Sequence, residues 1–165
     1  MIPENSGVCF GKCAEKLALH TNHAEWGYLF ESEKCLCEVL ELKANLGQRT
    51  RSMYQRGDRD GLQELIPVYQ ETVKRVRRFC QAFEKQWMME NKPYGFEVQD
   101  IRIGGLIQRL EHCADRLNQF VNGKISNIPE LEEQLLDPFG KGEADMPENF
   151  CVNIWRDIVS VNNVG

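Results

Sequence analysis

Residues 69–87 read Tyr69-Gln-Glu-Thr-Val73-Lys-Arg-Val76-Arg-Arg-Phe-Cys80-Gln-Ala-Phe83-Glu-Lys-Gln-Trp87. Tyr69, Val73, Val76, Cys80, Phe83 and Trp87 recur at spacings of 4, 3, 4, 3 and 4. This is the seam of a helix packed nearly antiparallel on a neighbour. Downstream, Asn91-Lys-Pro-Tyr-Gly95 stops the helix with a proline and a glycine. After Phe96-Glu-Val-Gln-Asp100 another long element carries Ile103, Leu106, Leu110, Cys113, Leu117 and Phe120 at spacings of 3, 4, 3, 4 and 3, and Asn122-Gly123 ends it.

Upstream, residues 24–56 contain no proline, and Leu29, Leu36, Leu40, Gly47 and Tyr54 recur at helical spacings, which predicts one long amphipathic helix. Arg56-Gly-Asp-Arg-Asp-Gly61 breaks it at a tight corner, with two Asp able to accept from the first free N–H groups of the next helix. Pro67 fits best near a first turn, so a short helix over 62–66 is expected to hand over to the long one. A short helix is expected from Glu130 to about Leu136, followed by an irregular stretch and an apolar segment with Ile154, Trp155 and Ile158. The prediction is an all-α fold: a bundle of three long helices with short extra helices and an extended C-terminal tail. Its expected divisions are an N-terminal segment over 1–23, partly helical or loosely ordered, the bundle over 24–140, and a linker and tail over 141–165.

Composition narrows the function. The 165 residues carry 20 basic and 25 acidic side chains, a net charge of −5, with 42% hydrophobic and 27% charged residues. That is ordinary globular composition. The acidic balance argues against nucleic acid or an anionic membrane as partner, since either needs a basic surface. No stretch reads as a secretory signal or a membrane span, and the seven cysteines are an odd number with several inside helical patterns. A cytoplasmic protein with reduced thiols is expected.

Few residues suggest chemistry. Cys9, Cys13, His20 and His23 are ligand types for tetrahedral zinc, but the spacing matches no common finger, and a reduced structural segment is the alternative. The basic run Lys74-Arg75-Val76-Arg77-Arg78 has the charge to grip phosphate, yet Val76 belongs to the seam and acidic residues lie nearby, which favours a solvated helix face. Glu97 and Asp100 stand three apart at a helix start, where a carboxylate serves either as a cap or in a site. Gly104 and Gly105 each cost about 1 kcal/mol of helix propensity, which predicts a backbone or ring approaching closely there. There is no phosphate loop, dinucleotide fingerprint, Gly-x-Ser-x-Gly or His-Glu-x-x-His, and no cofactor is expected.

The block Glu90-Asn-Lys-Pro-Tyr-Gly-Phe-Glu-Val-Gln-Asp-Ile-Arg-Ile-Gly-Gly-Leu-Ile-Gln-Arg109 resembles the C-terminal all-helical domain of bacterial β-N-acetylhexosaminidases of glycoside hydrolase family 20. Leu42-Lys-Ala-Asn-Leu-Gly47 and the aromatic run ending at Trp87 support the likeness, which covers roughly residues 36–136. The resemblance implies a parent enzyme that removes terminal β-linked N-acetylhexosamine with retention. In that family the substrate's own acetamido group is the nucleophile, a Glu is the acid/base and an adjacent Asp orients the acetamide. This sequence has no Asp-Glu dipeptide, and a TIM barrel needs about 250 residues. The chain is therefore expected to be an accessory domain without activity of its own, meeting carbohydrate only through the parent's barrel.

Its expected partners are that barrel and a second copy in a homodimer. Trp87, Tyr94, Glu97, Asp100, Arg102 and Trp155 are the candidate interdomain or dimer contacts, with Gly104 and Gly105 as the close-packing point. Two alternatives stay open: that the motif over 94–105 only knits two helices together, and that the chain is a stand-alone helical interaction module.

Overall fold

The computed structural model describes residues 6–133. They form α1 (Ser6–Ala18), α2 (Gly27–Lys43), α3 (Leu46–Gln55), α4 (Arg59–Glu90), α5 (Phe96–Val121) and α6 (Pro129–Glu132), with no strand among the described residues. The all-α fold stands, with α2, α4 and α5 as its three long helices. The tail, Trp155 and the expected helix beyond residue 133 lie outside the described residues.

Four helices lie side by side, each antiparallel to the next. Tyr28 at the start of α2 bonds Glu90 at the end of α4, while Arg75 reaches Glu38 and Glu41 near the other end of α2. His20, just after α1, lies tilted against Phe30 with ring centroids 5.2 Å apart, and the beginning of α1 lies against Glu41. Arg77 pairs with Glu111 of α5, and Phe83 meets Phe96. The order is thus α1, α2, α4, α5, with α3 and α6 packed at the end where α4 begins. α4 contributes 32 residues and is about 48 Å long. Its seam residues Tyr69, Val73 and Val76 join Leu62 and Leu65, both 0% exposed, and Ile103, Leu110, Leu117 and Phe120 of α5 in one core.

The expected single helix over 24–56 is two helices. The chain turns at Asn45 (φ −110, ψ 2), so that Leu46 is buried and Thr50 Oγ1 comes 2.9 Å from the Tyr69 hydroxyl. A straight continuation of α2 would carry both away from the first half of α4. Asparagine is a poor helix former, so the break costs little there.

Pro67 also departs from expectation. It sits on the exposed side within the continuous α4, where it removes one backbone bond at a cost of about 3 kcal/mol. Burial of Leu62, Leu65 and Tyr69 on either side of it, each of the first two contributing roughly 2 kcal/mol, holds the helix through the defect.

The stops are as the sequence implies. Gly57 and Gly123 (both φ +69) close α3 and α5 with paired bonds typical of a glycine helix stop: Gly57 N–H to Tyr54 and Asp58 N–H to Met53, then Gly123 N–H to Phe120 and Lys124 N–H to Gln119. Asp58 caps α4, accepting from Gly61 N–H at 2.9 Å.

The basic run is structural. Val76 is buried, Arg77 pairs with α5, and Arg75 donates to the Glu38 carbonyl at 2.7 Å and to the Glu41 and Glu71 carboxylates, fastening α4 to α2. The Cys35 thiol nearby is buried and donates to Glu31. Burial first, and the Glu31 carboxylate second, push it from 9.0 to about 11.

Because the neutral thiol is the favoured form in the fold, the stability this confers is complete below pH 9 and is lost as pH rises through 11. Between pH 8 and pH 10.5 the wild type should lose about 2 kcal/mol more than Cys35→Ala, measured as urea midpoints. Equal losses in the two proteins would sink the assignment.

Candidate functional site

The motif that carries the family likeness forms the corner between α4 and α5. Trp87 packs edge-on against Phe83 at 6.1 Å and tilted on Phe96 at 5.8 Å, and its Nε1 donates to the Lys92 carbonyl at 2.9 Å. Gly95 takes φ +99, a conformation that side chains disfavour, and a Cβ there would lie 3.4 Å from the indole. Glu97 reaches back to accept from Gly95 N–H at 2.7 Å and so caps the start of α5. Of the expected contact residues, Trp87 and Glu97 are therefore engaged within the corner itself.

The others face outward. Tyr94 is 87% exposed and Asp100 is exposed. Arg102 is half-buried, with Nε shielded from solvent and no acceptor for it among the described residues. Gly104 and Gly105 are exposed, and a Cβ on either would meet nothing within 4 Å. The close packing expected of them inside the bundle is absent, because both lie on the side of α5 turned away from α4.

Close approach occurs instead at Gly7 and Gly11 of α1, against Glu41 of α2. A Cβ at Gly7 would lie 2.5 Å from the Glu41 carbonyl oxygen, and one at Gly11 would meet the Glu41 carboxylate. The four-residue spacing was the available signal.

The corner belongs to a larger apolar end face. The large hydrophobic side chains exposed among the described residues are Val8, Leu19, Trp26, Met88, Met89 and Tyr94. All but Val8 sit where α1 ends, α2 begins, α4 ends and α5 begins, an end tied together by the Tyr28–Glu90 bond.

The zinc candidates are not assembled. Cys9 and Cys13 are exposed on α1, His20 lies tilted against Phe30, and His23 Nδ1 accepts from the backbone N–H of Glu25 and Trp26, leading into α2. Among the described residues no group of three or more His, Cys, Asp or Glu is placed to hold a metal ion. Nor is any helix among them long and apolar enough to cross a membrane.

An antiparallel helical bundle with an apolar end face defines a helical domain whose distinctive motif lies at a surface corner. The chain belongs to the Glycoside Hydrolase 20C C-terminal domain family, whose model matches residues 3–151. The match runs further in both directions than the likeness read over 36–136. No curated protein matches the chain.

Proposed function

We propose that this is a non-catalytic accessory and dimerisation domain of a family 20 glycosidase that releases terminal β-linked N-acetylhexosamine by a retaining, substrate-assisted reaction. The reaction belongs to the TIM barrel of the parent chain, since this sequence lacks the Asp-Glu pair that the chemistry uses. The domain's part is to dock through the end face around the α4–α5 corner, on the barrel of its own subunit or of a symmetry mate. The observation that carries this reading is the presence at that end of five of the six large apolar side chains exposed among the described residues, beside the motif that carries the family resemblance.

Met88, Met89, Trp26 and Tyr94 supply adaptable and aromatic contact area. Arg102, half-buried, and Asp100, exposed, supply charged groups beside it. Gly104 and Gly105 leave the adjoining stretch of α5 flat and open to a partner's backbone.

In the full-length enzyme, Tyr94→Ala and Arg102→Ala should each weaken dimerisation or lower turnover about tenfold, as loss of an aromatic or arginine anchor does. Val8→Ala, remote from the face, should change neither. Unchanged mass by light scattering together with unchanged turnover in both face variants would refute the reading.

A further inference from the structure

A cavity of about 160 Å³ lies among α3, the middle of α4, the outer half of α5 and the segment leading into α6. Its walls are apolar, with Leu117, Cys113, Ile128 and Leu131 contributing. Its floor carries two hydroxyls, and their protons can be followed. Thr50 Oγ1 donates to the Leu46 carbonyl at 2.8 Å, so its single hydrogen is committed and it accepts from the Tyr69 hydroxyl at 2.9 Å. Both oxygens then present only lone pairs to the cavity. The floor therefore repels an anion and accommodates an apolar group.

The mouth is the reverse. Arg109, His112 and Arg116 follow one another at helical spacing along one face of α5 and line the opening, with Glu130 beside them. Arg109 is exposed and makes no hydrogen bond among the described residues; its charge acts on the Glu130 carboxylate, which a hydrogen bond to its own backbone first, then Arg116 and Arg109, hold below the usual carboxylate range. Arg116 gives one guanidinium nitrogen to Glu130 at 3.4 Å, while its Nε is shielded from solvent and donates to nothing among the described residues. The parts of the mouth open to a ligand carboxylate are the exposed Arg109 guanidinium and the accessible end of Arg116, whose side chain is 37% exposed, and a charge-assisted bond to either is a strong one. On the other side of the mouth is Gly47, beside which a Cβ would meet nothing within 4 Å.

We propose that this cavity binds a small organic carboxylate, its apolar body seated between Leu117 and Leu131 and its carboxylate held at the mouth by Arg109 and Arg116. An apolar cavity of about this volume accepts one benzene ring, which sets the size of the body. The site is separate from the docking face and does not depend on the role given to that face.

The test titrates the full chain with phenylacetate, its neutral isostere phenylacetamide and the cation phenethylammonium, following backbone amide shifts of Gly47, Arg109 and Cys113 by NMR. Phenylacetate should bind saturably, phenylacetamide at least about tenfold more weakly and the ammonium not at all, since each reads the charge at the mouth. Arg109→Gln removes an exposed side chain that makes no hydrogen bond among the described residues, so it should lower phenylacetate affinity about tenfold with Tm little changed. Gly47→Leu lies at an open helical position, so it should fold normally and close the site.

Equal affinity for the acid and the amide would overturn the proposal. So would binding that survives Gly47→Leu, or the absence of saturation up to about 10 mM.

Discussion

Trp87→Ala should destabilise the chain by about 3 kcal/mol, whereas Tyr94→Ala, seven residues on, should leave stability within about 0.5 kcal/mol of the wild type. The two aromatic residues share one turn but do different physical work. The Trp87 indole touches Phe83 and Phe96, covers Gly95 and spends its N–H on the Lys92 carbonyl. Truncation opens a cavity between α4 and α5 and leaves that carbonyl to solvent. Tyr94 is 87% exposed, so its removal takes little from the folded state.

Urea unfolding of both variants measures the difference, and Trp87→Phe should recover part of the loss by refilling the ring position without the N–H. A neutral Trp87→Ala would mean that the indole does not hold the corner. It would then rejoin Tyr94 and Arg102 as a docking candidate, and the division of the motif into a knitting half and a facing half would fail. With the expected result, Tyr94→Ala tests the proposed docking free of any folding defect.

What could be read from the sequence follows from which interactions are periodic. Tyr69, Val73 and Val76, and Ile103, Leu110, Leu117 and Phe120, repeat at helical intervals because α4 and α5 run along each other for most of their length, so the seam printed itself into the chain. Gly57 and Gly123 were legible as stops because a left-handed backbone leaves glycine as the easy choice.

The break at Asn45 was not legible. It is set by where Thr50 must meet Tyr69, a contact spanning 19 residues; no proline marks it, and Gly47 close by falls in the helical spacing of the seam, so it reads as part of one helix. Pro67 misled in the opposite sense, since local propensity argues for a helix end and tertiary burial on both sides of it prevails.

The sites show the same division. Glu97 could be read as a cap because its partner, Gly95, is two residues away. The carboxylate cavity is assembled from residues 47 and 50, 69, 109–117 and 128–131, four stretches with no shared period, so only the fold brings Arg109 and Arg116 to the same mouth as Thr50 and Tyr69. The glycines show how a sound premise can hold at residues other than those first singled out. A glycine inside a helix does need a reason, but at Gly104 and Gly105 the bundle supplies none, and the reason found in the fold belongs to Gly7 and Gly11.

That assignment yields the second large effect. Gly7→Ala should release α1 from α2, at a net cost of about 2 kcal/mol, the range expected when a methyl group is forced into a full site. The new Cβ would lie 2.5 Å from the carbonyl oxygen of Glu41, which is fixed in the last turn of α2, so the helices must separate to admit it. At Gly11 the same methyl meets the Glu41 carboxylate, the far end of a side chain that can swing away. Swinging it loosens the ion pair with Arg75, a loss of up to about 1 kcal/mol for a partly exposed pair, which alanine's better helix propensity of about 1 kcal/mol offsets. Gly11→Ala should therefore lie within about 0.5 kcal/mol of the wild type.

Hydrogen exchange locates the effect. In Gly7→Ala the amides of α1 should lose protection while those of α4 and α5 keep theirs, because α1 packs on α2 at the edge of the row and takes no part in the seam. Equal damage from the two alanines would show that side-chain crowding, and not backbone approach, governs the contact. Uniform loss of protection through α5 would show that α1 is needed for the whole bundle and is not an edge helix added to it.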